Sequence, residues 1–154
     1  MRHLLTRLML GMAITAVGVV AADNSLGTWK LNLEKSTFTP SAPVKSLTYT
    51  REASHNGVKS TGAGERPDGT PINSSYTARY DGKEHPVTGS PFATIAIKQV
   101  DKNTLTLKLK NAGTKYDATG RSVISADGKL MTTTINGTTT DGTPINYTMV
   151  YEKQ

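Results

Sequence analysis

The chain has 154 residues, with 18 basic and 12 acidic side chains, three histidines and no cysteine. That length supports one domain with a single core. Without thiols there are no disulfides and no thiolate metal sites, and the basic residues fall singly rather than in the dense patches that nucleic-acid phosphates require.

In chain order, Arg2, His3 and Arg7 precede an apolar run from Leu8 to Val20, and Val20-Ala21-Ala22 stands ahead of Asp23. This is the pattern of a secretory signal peptide cleaved after Ala22. The run is shorter than the about 20 apolar residues a spanning helix needs. The expected organisation is a signal peptide over 1–22 and one domain over 23–154, exported to the periplasm or the medium, with no membrane span in the mature chain. Without Arg2 and Arg7, 16 basic residues face 12 acidic ones, a net charge of about +4.

Thr28 to Leu33 alternates, with Trp29, Leu31 and Leu33 on one face, and reads as the first strand. Glu34 to Lys45 carries Pro40 and Pro43, which argues against a helix and predicts a loop. Leu47, Tyr49, Arg51 and Ala53 share the inward face of the second strand. A two-residue turn at Asn56-Gly57 then sets Tyr49 against Gly64 and Arg51 against Gly62.

Asp-Gly-Thr-Pro-Ile-Asn occurs twice, at Asp68 to Asn73 and Asp141 to Asn146, each time followed by a Tyr-Thr-x-x-Tyr run. The unit is a hairpin used twice, closed by a three-residue loop whose glycine, Gly69 or Gly142, takes the left-handed region. Counting outward sets Gly64 against Ile72, Ser60 against Tyr76, Gly137 against Ile145 and Ile135 against Tyr147. A glycine opposite each isoleucine gives a bulky inward residue room.

Asp81 to Pro91 reads as a long connection with at most a short strand near Val87. Ile95 and Ile97 pair with Leu109 and Leu107. Strand 114–125 gives two answers: a three-residue turn at Ala126-Asp127-Gly128 points Val123 and Arg121 inward, a turn at Ala112-Gly113 points Tyr116 inward, and a bulge at Gly120 would reconcile them. Nine antiparallel strands result. Short turns and the need to pair both edge strands favour an all-β, up-and-down barrel over a sandwich. Outward Lys, Thr, Asn and Glu exclude a lipid-facing barrel.

Gly27-Thr28-Trp29 on the first strand resembles the first signature of the lipocalins. With Tyr80-Asp81-Gly82-Lys83, Pro86-Val87-Thr88-Gly89 and Ala126-Asp127-Gly128-Lys129, the chain is similar to lipocalin-like barrels exported by bacteria. The resemblance implies that Trp29 closes one barrel end under an arginine and that the interior carries a small, mostly apolar molecule. The departures are the missing cysteines, the lack of a second lipocalin signature and the lack of a helical pattern after Tyr151. The length also resembles intracellular fatty-acid-binding proteins, whose helical lid the proline-bearing 34–45 loop does not supply. A single tryptophan sets the chain apart from the avidins.

Asp68, Asp81, Asp127 and Asp141 each precede a glycine, so turn chemistry accounts for them. His55 and His85 lack metal-ligand spacing, and no serine has a nucleophile context. No catalytic group, metal site or cofactor is expected. The inward face instead collects Tyr49, Tyr76, Tyr80, Tyr147 and Tyr151 with small residues, and buried hydroxyls need partners. The alternatives are a barrel packed by its own side chains, working through its 34–45 and 81–91 loops as a protein-interaction or inhibitor module, and a cavity for an amphiphile. Large residues facing small ones favour the cavity, with Arg51, Arg121, Tyr49, Tyr76, Tyr147, Tyr151 and Trp29 as candidate ligand-binding residues. An inward arginine is costly unpaired, and the alternation offers no inward acid except Asp117, so a ligand's acidic head would satisfy it.

Overall fold

The computed structural model describes residues 22–154; the signal peptide expected over 1–22 lies, but for Ala22, outside the described residues. Ten strands follow in order: β1 (Gly27–Thr39), β2 (Ser46–Ser54), β3 (Gly57–Glu65), β4 (Pro71–Arg79), β5 (Asp81–Thr88), β6 (Thr94–Asp101), β7 (Thr104–Lys110), β8 (Asp117–Ile124), β9 (Leu130–Thr138) and β10 (Pro144–Lys153). Each pairs antiparallel with its sequence neighbours, and β1 pairs with β10, closing an all-β, up-and-down barrel. Closure leaves no free sheet edge among the described residues.

The expected nine strands become ten because β5 is a strand and not a connection. Gly82 and Pro86 interrupt its alternation, and proline has no N–H for a ladder. The strand is correspondingly loose: it meets β4 through Ser75↔Thr88 and Tyr76↔Val87, and its register with β6 shifts between Asp81 and Glu84.

Both repeated hairpins have the expected register. Gly64 pairs with Ile72 and Ser60 with Tyr76 in one, Gly137 with Ile145 and Ile135 with Tyr147 in the other. Gly69 and Gly142 take φ of +88° and +87°. In each loop the aspartate side chain accepts the backbone N–H two residues on, Thr70 or Thr143. These turn bonds, led by the Thr139 hydroxyl for Asp141, hold the Asp141 carboxyl down at about 2. The glycines opposite the isoleucines serve a further purpose. A Cβ on Gly64 would lie 2.1 Å from the Ser46 carbonyl oxygen, and one on Gly137 2.1 Å from that of Asp117. At matching places in the two hairpins, the neighbouring strand's backbone occupies the space of a side chain.

The β2–β3 turn corrects the expected pairing. His55 and Asn56, not Asn56 and Gly57, take positive φ, and Tyr49 pairs with Gly62 and Arg51 with Ser60. The shift is two residues, so every side chain keeps its face. Gly62 admits the Tyr49 ring, whose Cε1 lies 2.7 Å from where its Cβ would be.

Two larger differences concern faces. The stretch from Glu34 to Thr39 is strand, not loop. β1 shifts register between Asn32 and Thr37, which turns Leu33 outward, and Ser36 stitches the irregularity by donating to the Asn32 carbonyl and accepting the Val150 N–H at 2.9 Å. In β8 the register is continuous from Asp117 to Val123 on both sides, with no bulge at Gly120. Ser125 N–H bonds the Leu130 carbonyl, so the β8–β9 turn has four residues between those partners, not three. One extra residue inverts the strand: Tyr116, Ala118, Ser122 and Ile124 are buried, while Arg121 and Val123 are turned outward.

The core forms two clusters. One gathers Trp29, Leu31, Leu47, Ile72, Ile124, Met131 and Tyr151, and the other is built around Val58, Ile95, Ile97, Leu105, Leu109 and Ile135. Neither fills the barrel between them.

Candidate ligand-binding cavity

A cavity of about 550 Å³ runs down the barrel interior, lined by residues of both clusters. Its upper part is built by the loops after β1, β3, β5 and β9, through Pro43, Val44, Arg66, Ser90, Phe92 and Thr140. The turns at the opposite end contribute no lining residue, so the cavity reaches out at the first end and stops short of the second. The wall is mostly apolar, from Leu47, Ile72, Ile95, Leu107, Leu109, Ile135, Ile145 and Met149. The volume and polarity are those of a small-molecule site.

The blind end is sealed by the segment before β1. Ser25 and Trp29 are fully buried, and the Trp29 indole N–H donates to the Ser25 carbonyl at 2.8 Å. The cation over the indole is Lys153, 5.2 Å from the ring centroid, and not the arginine that the lipocalin resemblance implies. Trp29 therefore closes the barrel but does not line the cavity, and Leu31 and Ile97 likewise belong to the packed core.

Arg51 points into the interior and is buried, at 8% exposure. Its Nη1 donates to the Tyr76 hydroxyl at 2.9 Å, its Nη2 reaches Ser25 Oγ at 3.4 Å, and its Nε has no partner. Ser60, its register partner on β3, is buried with an unpartnered hydroxyl. Because Tyr76 accepts from Arg51, its own proton stays free to donate. Ser25 in turn donates to Asp23 Oδ1 at 2.6 Å, and the Tyr80 hydroxyl donates to Asp23 Oδ2. A chain of polar groups thus joins Arg51 to the Asp23 carboxylate.

Of the expected site residues, Arg51, Tyr49, Tyr76, Tyr147 and Tyr151 line the cavity together. Arg121 is exposed on the outer face and drops out, for the turn-length reason given above. Asp117 is also exposed and is no counter-ion. The residues that pattern reading missed are Asp23 and Ser25, which lie ahead of the first alternating strand and carry no periodic signal, and Tyr116, which only the Ala112-Gly113 turn points inward.

Burial raises the Tyr49 and Tyr151 phenols well above their ordinary value. It also pushes Tyr116 up to about 12, and burial with the Asp23 hydrogen bond takes Tyr80 to about 12. A neutral acid whose pKa is higher folded than unfolded adds stability that is complete below about 10 and is lost as pH rises through the folded value. Spectrophotometric titration of tyrosinate should therefore show Tyr49, Tyr80, Tyr116 and Tyr151 ionising above the usual phenol range, together with cooperative loss of β structure near pH 12. Six phenols titrating together near pH 10, with the barrel intact, would show that the interior is freely hydrated.

No protein-family model and no curated protein matches the sequence. Among solved structures, the chain is similar to zebrafish ileal bile acid-binding protein complexed with cholic acid, with a TM-score of 0.51 and 12% identity over 86% of this chain and 100% of that one. The likeness is one of fold: a closed antiparallel barrel.

Proposed function

We propose that this chain is an exported binding protein that holds a small amphiphilic or hydrophobic molecule in the barrel cavity and performs no chemistry on it. The observation that carries the reading is the cavity itself: about 550 Å³, apolar along its wall, with Arg51 and Tyr76 set deep inside as hydrogen-bond donors. An apolar body would fill the wall and an oxygen-bearing head would meet the donors. The solved neighbour, complexed with cholic acid, supports the reading by analogy of fold. The leader-like segment over 1–22 supports export. A packed interior would favour the alternative interaction module, and of its two working loops 34–39 belongs to strand β1 and 81–88 to strand β5.

The test is a titration with N-phenylnaphthylamine, an apolar dye that brightens when it leaves water. The protein should bind it with micromolar affinity, and Leu107→Trp, which grows a ring into the cavity, should weaken it at least tenfold without changing the circular dichroism. Arg51→Met should weaken a polar-headed amphiphile by about 1.5 to 3 kcal/mol, the value of a hydrogen bond to a charged group. No dye binding by the unmutated protein overturns the reading.

A further inference from the structure

Arg51 is the only basic residue deep in the cavity among the described residues, since Arg66 sits at the mouth, half-buried and bonded to the Pro71 carbonyl. A buried guanidinium cannot shed its proton, so its charge must be balanced. The sequence pattern offered no inward acid except Asp117, which made a ligand carboxylate the natural counter-ion. The tertiary structure supplies one instead. The segment before β1 brings Asp23 beneath the floor, where both its oxygens are engaged, one by the Ser25 backbone N–H and hydroxyl and the other by Tyr80. Ser25 Oγ hands this charge on to Arg51 Nη2. The donors left over toward the cavity are the Tyr76 hydroxyl and the second N–H of Nη1 and of Nη2, while Nε is buried without a partner; they call for an acceptor but not for a further negative charge.

We propose that Asp23 is the internal counter-ion of Arg51 and makes the cavity select amphiphiles with uncharged, acceptor-bearing heads, such as esters or alcohols, over carboxylates. The inference rests on reading the cavity as a ligand site. A neutral carbonyl or hydroxyl oxygen can accept from the Tyr76 hydroxyl at no Coulombic cost. A carboxylate on the same donors would share one guanidinium with Asp23, and two carboxylates sharing one cation in a poorly hydrated place repel. Asp23 acts here through Arg51 as a positioning residue and touches no ligand.

The experiment is displacement of bound N-phenylnaphthylamine by monolauroylglycerol and by laurate at pH 7.5, in the unmutated protein, Asp23→Asn and Asp23→Glu. The unmutated protein should prefer the neutral ester. Asp23→Asn should shift the ratio of the two affinities toward laurate by roughly tenfold, and Asp23→Glu should keep the original ratio. A merely structural role for Asp23 would weaken both probes alike and leave the ratio unchanged, which overturns the proposal. A preference of the unmutated protein for laurate overturns it as well, even if neither variant folds. Failure of the dye to bind the unmutated protein instead removes the proposed function on which this inference stands.

Discussion

Trp29→Ala will destabilise the barrel by about 3 to 5 kcal/mol, the usual cost of emptying a buried aromatic site. Three observations set the size. The ring is fully buried in the cluster with Leu31, Met131 and Tyr151; its N–H holds the Ser25 carbonyl; and Lys153 covers its outer face. Losing it leaves a hole at the closed end and frees the segment carrying Asp23 and Ser25, so Arg51 loses its Ser25 contact and keeps only Tyr76. Collapse into the hole is opposed by the β1 ladders, which tie Trp29 to Lys153 on one side and Tyr49 on the other. Urea unfolding followed by circular dichroism reads the loss. A change below ~1 kcal/mol would mean that the barrel end is held by something other than this ring.

The second large effect is expected at Gly137. Alanine there places its Cβ 2.1 Å from the Asp117 carbonyl oxygen and 2.5 Å from Ala118 Cα. Both are backbone atoms of β8, which cannot rotate aside, so the strands must part. Overpacking of this kind costs typically 1 to 3 kcal/mol and more where backbone must move, so about 3 kcal/mol is expected. Gly128→Ala is the control. It too has an unusual backbone, with φ of +73°, but nothing lies within 4 Å of its added Cβ, so it should lose only the roughly 1 to 2 kcal/mol of left-handed strain. Equal losses at the two glycines in thermal or urea unfolding would refute the close approach of β8 and β9.

By itself the sequence determined the barrel. Local rules were enough, because an Asp-Gly turn admits few registers, and a register once set carries the face of every residue along both strands. The two copies of Asp-Gly-Thr-Pro-Ile-Asn therefore specified their hairpins down to residue pairs, and the chain of short turns left closure as the way to pair β1 with β10. The same rules placed Arg51 and four cavity tyrosines inward. Where a turn length was open by one residue, as between Ser125 and Leu130, the same logic worked in reverse and put Arg121 on the wrong face. β5 was illegible because its glycine and proline erase the alternation on which recognition depends.

Two features were left to the tertiary structure alone. The cavity is a difference between the space the barrel encloses and the volume of the side chains within it, and no local pattern encodes that difference. The balance of charge at its floor is decided by Asp23, 28 residues before Arg51 in a segment without periodicity, which reaches the guanidinium through Ser25 because Trp29 anchors that segment across the closed end. A buried charge reports that it needs a partner, but the partner's identity depends on which chain segments the fold brings together.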